Sequence, residues 1–171
     1  MMHLLLTLPI LIFPALVITA ALRDVVSYTI PNWISAALVA AFPVAALAQG
    51  LPLQTMGINL GVGVAALILG MVMFAMRWIG GGDAKLFAGV ALWLGFHDLA
   101  AYALAASIMG GLLTLTILGL RQLPLPAIAA RQGWILRLHG EASGIPYGVA
   151  LAAGAFIALP HAEIFHLAAA L

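Results

Sequence analysis

The chain has 171 residues, of which 65% are hydrophobic and only 6% charged, with a formal net charge of +1 and no cysteine. A water-soluble domain carries about a quarter charged residues, so a soluble globule is excluded. The missing cysteines exclude disulfides, thiol catalysis and cysteine-ligated metal centres, and the near-neutral charge offers no basic face for nucleic acid.

Six apolar runs follow in chain order, at 4–22, 33–49, 57–76, 84–97, 99–120 and 145–160. A bilayer-spanning helix needs about twenty apolar residues. Backbone groups in lipid must be satisfied within the segment, and period-two alternation is missing, so a barrel is ruled out. The sequence therefore predicts an all-α integral membrane protein, one domain over residues 1–171 built as a bundle of six transmembrane helices.

The first run lacks the basic start and clean cleavage site of a secretory signal peptide, which predicts a retained helix. Its end reads "ALRDVVSYTIPNWIS". Arg23 and Asp24 fit an interfacial pair worth little by itself. Pro31 resists helix on its N-terminal side, Asn32 is placed to cap the second span, and Trp33 to anchor at the headgroups. In the third run, Gly57 and Gly61, like Ala66 and Gly70, stand four apart, a spacing that suits close helix packing.

The fourth run opens with "RWIGGGDAKLFAGV", Arg77 to Val90. From Ala84 to His97 a helix covers roughly 20 Å, short of the ~30 Å hydrocarbon core, so the lead-in lies below the membrane surface. This puts Asp83 inside the membrane rim and makes Gly80, Gly81 and Gly82 irregular backbone facing a wet cavity. Asp83 fits two roles. It can cap the following helix while Lys85 snorkels to the headgroups, or it can be a functional acid, as an ionisable group at that depth suggests. A cap needs no glycine triplet, whereas a bending backbone or an approaching peptide does.

The longest connection, Arg121 to Gly144, contains apolar residues that sort onto no single helical face, and Arg131 and Arg137 there suit anionic lipid. "HAEIFH", His161 to His166, lacks the spacing of a zinc-protease HExxH and reads as a polar tail after Pro160. "EASG", Glu141 to Gly144, has Glu where a serine intramembrane protease needs glycine, and His139 shares its loop. Gly82 to Lys85 lacks Walker spacing. The reading calls for no metal and no cofactor. No internal repeat of the transporter kind is present.

Charge sets the topology. Arg23, Arg77, Lys85, Arg121, Arg131 and Arg137 all fall on one face when the spans are numbered, while the opposite connections carry Asp98 and Glu163. The positive-inside rule makes that face cytoplasmic, with both termini on the extracytoplasmic side. His3, His97, His161 and His166 then lie outside, and Glu141 lies in the long cytoplasmic loop. Asp24 and Asp83 come out at span ends on the same face. Two neighbouring carboxyls cannot both ionise cheaply, so one holds a proton and the other acts as base, a pair able to activate a water and protonate a leaving amine.

These residues carry a resemblance. "GGGD", Gly80 to Asp83, matches the GxGD signature of intramembrane aspartyl proteases. The segment from Asp24 through Pro31 and Asn32 resembles the first aspartate segment of type IV prepilin peptidases. "GIPYG", with Gly144, Pro146, Tyr147 and Gly148, resembles that family's turn into the last span. The resemblance implies that Asp24 and Asp83 are the catalytic acids and that the remaining motif residues support them, with Lys85 and Arg23 as modulators. It also implies cleavage of the short basic leader of prepilins, with minor pilins as candidate further substrates, at the cytoplasmic face of a bacterial inner membrane. Larger members carry a cysteine-pair metal motif and N-methylate the product. With no cysteine, this chain resembles the short, peptidase-only type of tight-adherence (Flp) pilus systems. The presenilin-related branch shares GxGD but pairs tyrosine with aspartate, where this chain has Arg23 before Asp24. A different class remains open: a non-catalytic membrane subunit of a pilus or secretion assembly, or a small carrier, with Asp83 as a plain cap. Besides pilins, membrane lipids are the expected partners, and the oligomeric state is left open.

Overall fold

The computed structural model describes residues 2–140 and 144–169, with side chains described from Pro9 to Ala168 outside the 141–143 gap. Glu141 and most of the "EASG" stretch, and the side chain of His3, lie outside the described residues. Among the described residues the chain is all-helical: α1 (Met2–Ser27), α2 (Asn32–Ala48), α3 (Leu53–Ala75), α4 (Gly81–Arg121), α5 (Gly133–His139), α6 (Tyr147–Ala158) and α7 (Glu163–Ala169). Three segments are long and apolar enough to cross a membrane, Pro9–Ser27, Leu53–Ala75 and Gly81–Arg121, and two shorter apolar ones are Asn32–Ala48 and Tyr147–His161. The outward faces of these helices are greasy: Ile58, Val64, Ile68 and Met71 on α3 and Ile108, Leu112 and Leu115 on α4 are all exposed. A surface of this kind suits lipid rather than water.

The helix α4 is two helices in one. Gly95 has φ 77 and ψ −174, a region open essentially to glycine alone. There the chain folds back on itself, so the rings of Phe87 and Tyr102 stack with centroids 5.0 Å apart, whereas a straight helix would separate them by roughly 22 Å. The first leg (81–94) is buried from Val90 to Leu94 without interruption, and Ala84, Leu86, Ala88 and Gly89 are buried below them. The second leg (96–121) packs on α6. The reversal lies at Gly95, not at the Asp98 connection expected between the fourth and fifth runs, because backbone conformation rather than polarity sets the break. A Cβ at Gly95 would stand 2.5 Å from Oδ1 of the buried Asn59. Gly95→Ala is therefore expected to destabilise the protein by about 2 kcal/mol or more, read as a lowered unfolding midpoint in detergent.

The core is thickest at the end of the first leg. Trp93 is fully buried, its ring 5.1 Å from that of Phe13 and 5.8 Å from that of Phe42. Its Nε1–H donates to the Leu38 carbonyl at 2.9 Å, which avoids the 1–3 kcal/mol that an unpaired buried donor costs. The segment after Pro160 is no polar tail: Ile164 of α7 is buried, and Phe165 packs edge-on against Phe13 at 5.4 Å. His161 and His166 take the exposed side. Ala162 and Ile164 are buried while His161, Glu163 and His166 are exposed, so the segment folds back onto the core by one face.

Of the two small-residue pairs expected to pack, Ala66 and Gly70 are buried against the bundle and Gly57 and Gly61 are not, and the expected cap at Asn32 also fails. Gly57 and Gly61 have no neighbour within 4 Å of a Cβ position, so their spacing serves no helix contact, whereas a Cβ on Gly63 or Gly70 would stand 3.0 Å from Leu92 Cβ or 2.9 Å from Ala84 Cβ. Spacing alone does not say which face of α3 meets the bundle. Asn32 does not cap α2, because Pro31 occupies the N-cap with no side-chain cap bond. The Asn32 Oδ1 accepts instead from Lys85 Nζ at 2.8 Å.

The ends of α2 and α3 use the same closing bonds with different residues. After α2, the Gly50 and Leu51 amides donate to Leu47 and Ala46 at 3.1 and 2.9 Å; after α3, those of Arg77 and Trp78 donate to Phe74 and Met73 at 2.9 and 3.0 Å. The left-handed position belongs to Gly50 (φ 72) in the first turn and to Arg77 (φ 61) in the second. A side chain there costs roughly 1–2 kcal/mol, so Arg77→Gly is expected to stabilise the protein by about 1 kcal/mol, measured as a raised thermal midpoint.

Candidate active site

Asp24 stands in the last turns of α1 and is buried. Its Oδ2 accepts the backbone N–H of Gly148 at 2.7 Å. Gly148 is the second residue of α6, behind the N-cap Pro146 and the first helical residue Tyr147. A carboxylate at that place satisfies one of the orphan amides of a helix start and meets the positive end of its dipole. The "GIPYG" turn thus positions Asp24. A Cβ on Gly148 would come within 2.9 Å of both Asp24 Oδ2 and Ile30 Cδ1, while one on Gly144 would meet nothing within 4 Å.

Asp83 is the third residue of α4 after the N-cap Gly80. Its carboxylate reaches back to the Gly80 amide, the reciprocal half of a capping box. Gly80 is extended (φ −72, ψ 147), and Gly81 and Gly82 are the first two helical residues. The expected irregular backbone over Gly80 to Gly82 is therefore confined to Gly80, because an acid reaching back to the N-cap amide starts the helix early. The triplet serves close approach in three directions. Cβ positions on Gly80, Gly81 and Gly82 would lie 2.7 Å from Asp83 Oδ2, 3.3 Å from the Phe74 ring and 3.1 Å from Ile30 Cβ.

Ile30 joins the two acids. Buried in the turn between α1 and α2, it lies against both Gly82 and Gly148. Asp24 and Asp83 come to the same end of the bundle within electrostatic reach of each other. Asp83 lines a cavity of about 680 Å³ together with Arg77, Trp78, Phe87, Tyr147 and Leu151, a volume that suits a few peptide residues. Asp24 sits behind the Tyr147–Gly148 turn and is not part of that wall.

The basic residues gather at this end as well. Arg137 Nη2 donates to the Val26 carbonyl at 2.7 Å, and Arg121 donates through Nε to Leu138 and through Nη2 to Gly144, at 2.9 and 3.1 Å. Arg137, expected at lipid, is thus spent in part on closing the connector over the end of α1. Burial pushes the Tyr28 phenol above its ordinary value, with the charge of Arg121 pulling the other way, so it stays protonated beside the acids. Arg23 is exposed although its neighbour Asp24 is buried, and Lys85 is exposed on the side of Asn32, away from the cavity. Sequence reasoning missed Ile30 as the joint, since an apolar side chain carries no chemistry of its own, and read Arg77 only as a topology charge and not as a cavity wall.

A family model described as the type IV leader peptidase family matches residues 11–115, more than half of the chain and a span that includes Asp24 and Asp83. The sequence matches none of the curated proteins and none of the solved structures with which it was compared.

Proposed function

The chain belongs to the type IV leader peptidase family, and we propose that it cleaves the leader of Flp-like prepilins by aspartic catalysis, with Asp24 and Asp83 as the dyad. The observation that carries this reading is the convergence of the two acids, distant in sequence, on one end of the bundle, with Asp83 facing a peptide-sized cavity. We take α1, α2, α3, the two legs of α4 and α6 as six membrane crossings. The basic residues near Asp24 and Asp83 support a cytoplasmic assignment for this end, with both termini outside.

In the reaction, one carboxylate removes a proton from water as the water attacks the scissile carbonyl. The other, protonated, gives its proton to the developing oxyanion; the first then passes the proton it took from water to the amine that leaves, and the second recovers a proton as the carbonyl re-forms. The bond between carbonyl carbon and amide nitrogen breaks, and the water is divided between the new carboxyl and amino ends. Asp83 faces substrate directly. Asp24 is held by the Gly148 N–H in the resting state, and it reaches the water by turning from that bond. The chemistry requires no cofactor, and no methylation of the product is expected.

The test is co-expression with a candidate prepilin, scoring the gel shift on loss of the leader and identifying the new N-terminus by mass spectrometry. A prepilin left intact by the well-expressed wild-type protein, across the prepilins encoded alongside it, would remove this reading in favour of a non-catalytic pilus or secretion subunit.

A further inference from the structure

A second concavity, of about 800 Å³, lies on the far side of the first leg from the Asp83 cavity, and nothing in the chemistry above uses it. Helices α2 and α3 stand apart there, and the first leg of α4 forms the floor between them from Gly81 to Leu92, about 16 Å or three turns along its axis. Small residues pave it: Ala84, Ala88 and Gly89 on the floor, Ala36 and Ala40 on α2 and Gly63 on α3. Such paving lets a further helix approach closely in lipid.

Two polar features say what kind of molecule fits. Ser35 is nine-tenths buried in the α2 wall, and its hydroxyl has no hydrogen-bond partner. By contrast, Thr19, Ser107, Thr114 and Thr116 each donate to the carbonyl four residues earlier at 2.7 Å. A buried hydroxyl without a partner in an apolar wall is satisfied by turning toward a close-packed helix backbone, a partner that a hydrocarbon tail does not bring. Lys85, the one charged side chain of the lining, stands at the mouth on Asn32 Oδ1. Its charge complements an acidic side chain at the membrane-surface end of the visiting helix.

The mouth is also where the two concavities meet. Gly81 belongs to the groove and Gly80 to the Asp83 cavity, and the Phe74 ring lies over Gly81. We propose that the groove between α2 and α3 seats the apolar helix of the substrate, whose extended cleavage segment crosses Gly81 and Gly80 to reach Asp83. This rests on the peptidase reading. The Phe74 ring, 3.3 Å from a Cβ position on Gly81, turns aside for the strand to cross.

The experiment uses the full chain in proteoliposomes with a prepilin that the wild type cleaves. Ala40→Trp and Ala36→Trp fill the groove from its exposed rim, and Leu112→Trp places the same ring on the exposed face of the second leg. The groove variants are expected to lower cleavage at limiting substrate by about tenfold or more, a loss of one hydrophobic docking contact of about 1.4 kcal/mol, with Leu112→Trp within about twofold of wild type. The native chain has no cysteine, so Val64→Cys in an Asp83→Asn background gives a second measurement. It is expected to form a disulfide with a single cysteine in the substrate's apolar helix, and Leu112→Cys is not. Wild-type cleavage by both groove variants overturns the inference and assigns the groove to lipid. Adducts of Val64→Cys with a second peptidase, or no adduct to substrate, overturn it too. In either case the peptidase reading stands, since the parent still cleaves; an inactive parent removes both.

Discussion

Asp24→Asn and Asp83→Asn are each expected to lower leader cleavage by about 10³-fold or more while the protein still accumulates in the membrane. Asparagine keeps the size of the side chain and an acceptor oxygen, so the bonds from the Gly148 amide to position 24 and from the Gly80 amide to position 83 persist. What is lost is the ability to take and give a proton. The measurement is the rate of leader removal from a purified prepilin, with folding checked by thermal unfolding. A cap behaves differently: if Asp83 only caps α4, Asn or Ser costs about 1 kcal/mol of stability and leaves activity nearly intact. Substantial turnover by either asparagine variant would therefore end the dyad assignment. The same proton sharing requires cleavage to fall at low pH, where the base is protonated, and at high pH, where the shared proton is gone.

The second large effect falls on a residue without chemistry. Gly148→Ala is expected to lower cleavage by about 10²-fold, because the new methyl would stand 2.9 Å from Asp24 Oδ2 and 3.0 Å from Asp24 Cβ. The carboxylate must move off the helix start, and a displacement of about 1 Å at a reacting group is enough for such a loss. Gly144→Ala, four residues earlier in the same motif, meets nothing within 4 Å and is expected to stay within about twofold of wild type. The pair is read in one cleavage assay, with expression and thermal midpoint as controls. Equal losses in both variants would show that the turn acts through backbone flexibility and not through contact with Asp24.

The two glycines look alike in "GIPYG", and only one of them touches an acid. Much of the site was nonetheless legible. The scarcity of charge singled out Asp24 and Asp83, the short fourth run placed Asp83 at a helix start, and the distribution of Lys and Arg put both acids at one end. These are properties of single segments in a solvent that penalises every unpaired polar group, so they are written locally. The errors share a cause as well. Asn32 has the composition of an N-cap but bonds to Lys85, and Gly57 and Gly61 have the spacing of a packing face but meet nothing. The tail after Pro160 looked polar until Phe165 was found against Phe13. Each depends on which neighbour arrives from elsewhere in the chain.

By itself, then, the sequence determined the solvent, the helical class, the candidate acids and the end of the bundle they share, because hydrophobic length, charge placement and glycine content act within one helix. Only the tertiary structure decided that Gly148 holds Asp24, that Ile30 links the two acid-bearing elements, that Arg77 takes the left-handed turn and that Gly95 reverses the chain. Apart from the Arg77 turn, which closes on carbonyls of α3 itself, those outcomes turn on distances of 2.5 to 3.1 Å between groups far apart in the chain. Close packing sets such distances, and no periodicity in the chain encodes them.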